Sequence, residues 1–300
     1  MIQSFEQSMA LLCAFFQASP FWYAVLVFIF SLCVGSFLNV VIYRLPKMME
    51  QSWQQEYLEY FEPDKDHPEP ARFNLAVPRS RCPHCQHQLS ALDNIPLLSW
   101  LVLKGRCRYC KVAIPKRYPL VELFTALISV VVAMHTGATG VGLLYLVVRW
   151  VLVALIFSDS DQMLVPDQLT LPLLGLAWVA AAAGISKVDA TTAIIGAAFG
   201  YLSLWSVYWL FKLLTGKEGM GFGDFKLLAV FGALLGWQLL PLIILLSSLV
   251  GAVCGIVLLS MQGKDKNHAI PFGPYIAAAG FIAMLWGEQI TQAYLATLGL

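Results

Sequence analysis

FWYAVLVFIFSLCVGSFLNVVIY, Phe21 to Tyr43, runs 23 residues without a charged side chain. At about 1.5 Å per residue, a helix of that length crosses the roughly 30 Å hydrocarbon core of a bilayer. No basic region leads into it, so it reads as a retained first helix and not as a cleaved signal.

The rest of the chain repeats the theme. Its 300 residues are 59% hydrophobic and 12% charged, with mean hydropathy +0.71 and net charge +1. A soluble domain carries about a quarter charged residues. Further apolar runs lie near Pro119–Ala133, Val141–Phe157, Leu169–Ile185, Ala193–Leu214, Leu227–Leu235, Leu239–Ser260 and Phe272–Leu285. The expectation is an all-α polytopic membrane protein of about eight transmembrane helices. The connections at 45–118, 215–226 and 261–274 hold nearly all the Lys and Arg, whereas HTGATG and SKVDATT hold almost none. Basic loops stay in the cytoplasm, so the N-terminus is expected outside and these three connections inside. Nothing in this charge pattern points to nucleic acid; lipid is the surrounding partner.

Three parts are expected: an N-terminal transmembrane helix (1–44), a cytoplasmic loop domain (45–118) and a polytopic membrane domain (119–300). The loop opens with EQSWQQEYLEYFEPDKDHPEP, acidic and closed by prolines, which predicts a short amphipathic helix and a loose linker. RCPHC and RCRYC follow, giving two C-x2-C pairs, Cys82/Cys85 and Cys107/Cys110. Two such knuckles suit a tetrahedral, structural Zn²⁺. Disulfides are disfavoured in a reducing cytosol, and a redox site lacks a βαβ setting. His84 and His87 stand nearby, but the cysteine set is complete without them. Cys13, Cys33 and Cys254 lie in apolar stretches and read as buried free thiols.

GMGFGDFK, Gly219 to Lys226, places Asp224 at the edge of an apolar helix behind three glycines. A carboxylate there needs a partner. FSDSDQMLVPDQLTLP offers Asp159, Asp161 and Asp167. Asp159 continues an apolar helix, Asp161 lies farther out, and Asp167 sits where an N-cap belongs. Asp159 is therefore the best match. Two carboxylates in a partly desolvated site cannot both ionise easily, so they share a proton and can hydrolyse a peptide bond by general acid–base chemistry. The glycines would let backbone loosen and approach a substrate. An intramembrane Asp equally suits a proton-coupled transporter, and the zinc loop alone suits an assembly scaffold.

GSFLNVVIYRLP, the paired knuckles, KRYPLVEL, the two acids Asp159 and Asp167, TGKEGMGFGDFK and IPFGPY occur in that order. Together they resemble the prepilin peptidases, the bifunctional leader peptidases and N-methyltransferases of type IV pili and type II secretion. The resemblance implies an inner-membrane aspartyl protease of the GxGD kind with Asp159 and Asp224 as its catalytic pair. It also implies prepilin and pseudopilin substrates with a basic leader, and methylation of the new N-terminus from S-adenosylmethionine. No dinucleotide-type fingerprint marks the methyl-donor site. Gly105 and Glu122 are candidates for it, although Gly105 can equally make a turn and Glu122 can pair with Arg117 or Arg149. Asn39, near the cytoplasmic end of the first helix, can cap backbone or contact substrate, and the structural role is the one expected. Ser158 departs from the apolar residue usual before the first Asp.

Overall fold

The computed structural model describes residues 14–63, 72–262, 271–297 and 299. The chain divides into two compact units, Met1–Gly137 and Ala138–Leu300.

The first unit pairs α1 (Pro20–Phe61) with α3 (Arg117–Thr136), with the short helix α2 (Leu98–Val102) between them in sequence. On α1 the buried residues Val27, Ser31, Gly35, Leu38, Ile42, Leu45 and Met49 recur every three or four positions. That stripe is what a helix needs to bury one side against a neighbour. At Gly35 the approach is so close that a Cβ would stand 2.8 Å from the Cα of Glu122 and 3.1 Å from the Cβ of Thr125. On α3, Thr125 and Ser129 donate to carbonyls one turn back, Val121 O and Thr125 O, both at 2.7 Å. Their hydroxyls are satisfied internally, so small polar residues can line the contact.

The amphipathic helix expected after Tyr43 is present but not separate. α1 continues through Pro46 to Phe61. Next to it, the Arg44 guanidinium donates to Asn74 O at 2.9 Å and Pro78 O at 2.7 Å, which ties α1 to the loop. The expected linker around 64–71 lies outside the described residues.

The second unit contains α4 (Gly140–Gln162), α5 (Asp167–Ala182), α6 (Ala190–Thr215), α7 (Phe222–Leu235), α8 (Leu240–Gln262) and α9 (Gly273–Thr297). α7 is its core: every residue from Leu227 to Leu235 is buried, with α5, α6 and α9 packed against it. Gly196 and Gly200 on α6 face Gly232 and Leu228 on α7. A Cβ on Gly196 would collide with the carbonyl of Gly232, and one on Gly200 would stand 2.6 Å from Leu228 O. Small residues four apart let two helix backbones touch, the usual device of helix pairs in lipid.

Among the described residues, five helices are long and apolar enough to cross a membrane: α1, α3, α4, α6 and the stretch Trp237–Val257. This marks a multi-pass membrane protein. The expected eight is not confirmed: α5 and α7 have only 16 and 14 residues, and α9 is not among the five. Cys33 is exposed and Cys254 half-exposed, so neither is the buried thiol expected. In a membrane helix an apolar position has no need of protein cover, since lipid provides it. Cys13 lies outside the described residues.

Candidate functional site

Asp159 stands in the last turn of α4, where helix carbonyls crowd and an anion gains nothing from the helix dipole. Its help comes from elsewhere. The backbone N–H of Gly273, at the start of α9, donates to Asp159 Oδ2 at 3.0 Å. The first amides of a helix have no partner within it, so they are available to a carboxylate.

Asp224 lies in the first turn of α7, with Gly221 as N-cap. Its own N–H bonds to Gly221 O at 3.2 Å. Both aspartates are buried, at 5% and 6% exposure. Gly273 brings them to one place: a Cβ added there would meet Asp159 Oδ2 at 2.7 Å and Asp224 Oδ1 at 3.4 Å. Two helix N-termini, those of α7 and α9, thus converge on two carboxylates, one borne on α7 and the other on the end of α4.

The glycines before Asp224 have a packing role that the sequence did not reveal. A Cβ on Gly223 would stand 2.5 Å from the Cβ of Val165, and one on Gly219 would stand 2.9 Å from the ring of Phe211. Gly221 has open space around it. Of the other acids, Asp161 is exposed. Asp167 is not an N-cap; Pro166 takes that position, and the Asp167 carboxylate binds Lys226 Nζ at 2.6 and 2.7 Å. This pair ties the first turn of α5 to that of α7. Ser158 is fully buried, and its hydroxyl has no hydrogen-bond partner among the described residues.

In the first unit the four cysteines come together. The Sγ atoms of Cys82, Cys85, Cys107 and Cys110 all lie within 4.8 Å of one another, with Cys82 and Cys110 3.8 Å apart. Four sulfurs about 2.3 Å from a central tetrahedral ion stand roughly 3.8 Å apart, so the cluster fits a metal. The two knuckles are built alike. Gln86 N bonds Cys82 O and Lys111 N bonds Cys107 O, with Gln86 and Lys111 both in the left-handed region at φ 57 and 59. The amides of Cys110 and Tyr109 lower the Cys107 thiol to about 7, while burial and the neighbouring thiols push Cys110 up to about 11. Behind the knuckles Asp93 binds Arg108 at 2.7 Å and accepts from Ser90 Oγ at 2.7 Å. The Ser90 hydrogen bond, more than Arg108, holds its carboxyl below the ordinary range.

Gly105 and Glu122 hold the two ends of α2. Gly105 sits at φ +68 with its N–H on Trp100 O at 2.8 Å, and a Cβ there would meet the Trp100 ring at 2.8 Å. Glu122 is buried and accepts from Leu97 N at 2.7 Å. Arg149 instead lies 3.9 Å over the Phe281 ring. Asn39 does cap backbone, donating to Tyr118 O at 3.1 Å. Gly273 lies in the IPFGPY motif, but nothing in that motif marks its amide as the partner of Asp159.

Comparison with known proteins follows this division. Residues 29–136 match the Bacterial Peptidase A24 N-terminal domain, and residues 146–256 match the Type IV leader peptidase family. A protein of Aeromonas hydrophila named prepilin leader peptidase/N-methyltransferase is 60% identical over 290 residues, covering 96% of this chain and 99% of its own. Proteins of the same name from Stutzerimonas stutzeri and Legionella pneumophila are 53% and 44% identical, covering 94% and 92% of this chain and 96% of their own length each. No solved structure matches. With paired acids on one unit, paired knuckles on the other and relatives alike from end to end, the chain belongs to the type IV leader peptidase family.

Proposed function

We propose that this protein cleaves the leader from prepilins and pseudopilins and methylates the new N-terminus. Asp159 and Asp224 act as one dyad. The ionised member takes a proton from water as it attacks the scissile carbonyl, and the protonated member hydrogen-bonds the carbonyl oxygen. On collapse the proton passes to the leaving amine. The observation that supports this reading is the meeting of both carboxylates at Gly273.

The four cysteines hold Zn²⁺ as a structural ion, since no ligand position is left open for chemistry. S-adenosylmethionine, when bound, supplies an electrophilic methyl group. We place it beside α2, where Trp100 and Glu122 offer an aromatic face and an acid to a sulfonium cation. Gly105 shapes that site by admitting the Trp100 ring. The protein works in the inner membrane with its N-terminus periplasmic, as the loop charges favour. Segments 1–44, 45–118 and 119–300 serve as first span, zinc domain and peptidase domain.

The test is cleavage of a model prepilin by the wild type, Asp159→Asn, Asp224→Asn and, as control, Asp161→Asn, each checked for folding and zinc content. Both single dyad variants should lose cleavage while still methylating a pre-cleaved product, and the control should stay active. Normal cleavage by either dyad variant would overturn the mechanism.

A further inference from the structure

α2 turns an apolar face outward although it belongs to a polar loop. Leu98, Leu101 and Val102, at helical spacing, are 59%, 53% and 77% exposed, and Leu92 just before them is 69% exposed. This is not a loose segment. Leu97 N is bound to Glu122, Gly105 N to Trp100 O, and Ile114 N to Gly105 O, so the face is fixed in direction.

Its height along the membrane is fixed as well. Glu122 is the sixth residue of α3, a helix long and apolar enough to cross a bilayer. At about 1.5 Å per residue, α2 therefore begins within roughly 8 Å of the end of that helix. That is the depth of lipid headgroups, not of bulk water.

The surrounding charge is one-sided. Between Arg79 and Arg117 there are eight Lys and Arg against a single acid, Asp93, and that acid is already paired with Arg108. Lys104, Arg106, Lys111 and Lys116 are all exposed. The exposed end of α1 is the reverse, with Glu50, Glu56 and Glu59. The positive charge is thus gathered where the apolar face is. A second copy docking face to face would bring like charges together, whereas an anionic lipid surface satisfies both features.

We infer that the α2 face and its basic surround lie on the anionic headgroups of the leaflet from which α3 emerges. The leucines and Val102 enter among the headgroups and the Lys and Arg pair with lipid phosphates, as in amphipathic interfacial helices.

The full chain is placed in nanodiscs of phosphatidylcholine alone or mixed with phosphatidylglycerol. Amide exchange is then followed at 98–104, and a photoreactive residue at Val102 reports its neighbour. With phosphatidylglycerol, exchange should slow about tenfold, high salt should reverse the effect, and cross-links should go to lipid. Equal exchange in both discs, or cross-links to a second chain, overturns the inference. With the probe kept at Val102, Leu98→Gln with Leu101→Gln should abolish the lipid cross-link. Should that variant fail to hold metal, Lys104→Gln with Arg106→Gln and Lys111→Gln leaves the apolar face intact and should remove the phosphatidylglycerol dependence. Persistence of that dependence would overturn the inference equally.

Discussion

The backbone N–H of Gly273 donates to Oδ2 of Asp159 at 3.0 Å, and the position of a Cβ on Gly273 lies 3.4 Å from Oδ1 of Asp224. One residue without a side chain is what allows a helix N-terminus to reach both acids. Gly273→Ala inserts a methyl into the space between them. We expect cleavage to fall about a hundredfold, as misplacing reacting groups by about 1 Å does, with little change in the unfolding temperature. Prepilin turnover and thermal unfolding of the same preparation separate the two effects.

A shared-proton dyad needs one acid ionised and one protonated, so cleavage should follow a bell-shaped pH profile. Asp159→Asn or Asp224→Asn removes the exchangeable proton from one position and should lower turnover by about a thousandfold or more at every pH. A turnover series across pH checks both statements. A single sigmoid for the wild type would contradict the dyad.

Metal removal should act on the first unit alone. Structural Zn²⁺ contributes roughly 10–16 kcal/mol of apparent binding energy in small domains. Chelation, or Cys82→Ser, should therefore expose the amides of 80–114 to exchange while leaving those of α7 protected. Hydrogen exchange with parallel zinc analysis reads this directly, with about one ion expected per chain.

Gly232 meets Gly196 backbone to backbone, so neither can take a side chain without parting α6 from α7. Gly232→Val should lower stability by about 3 kcal/mol, toward the upper end for overpacking. Thermal unfolding in detergent would measure it. Gly216→Ala, where a Cβ meets nothing within 4 Å but φ is +69, should cost only about 1 kcal/mol.

Asp93 has a side chain only 2% exposed. Its carboxyl is held below the ordinary range, so its contribution is present above the unfolded value and lost as pH falls through the folded one. Asp93→Asn should destabilise the loop by about 1–3 kcal/mol at neutral pH. The gap between variant and wild type should stay constant down to about pH 5 and close below about pH 4. Denaturant melts of both proteins at each pH give the difference directly.

Much of this was legible in the chain because the chemistry is carried by unusual residues in unusual surroundings. Asp159 and Asp224 stand at the ends of apolar helices, and four cysteines in two C-x2-C knuckles admit few readings. What could not be read depends on contact between distant segments. Gly273 lies 114 residues from Asp159, and no local pattern tells that its amide reaches that carboxylate. Nor does Pro46 announce that α1 runs through it, since an internal proline more often kinks or ends a helix. Asp167 was misread as a cap because its partner, Lys226, sits on another helix. The number of spans was less legible, since α5 and α7 are apolar but at 16 and 14 residues shorter than a full crossing.

The burial of α7 has one more consequence. From Leu227 to Leu235 it presents no residue to the bilayer. Changes in acyl-chain length, membrane fluidity or the choice of detergent are felt first by its neighbours, which shield it. The helix that bears Asp224 travels inside its own proteinaceous solvent, and its buried stretch should behave alike in a thin membrane, a thick one or a micelle.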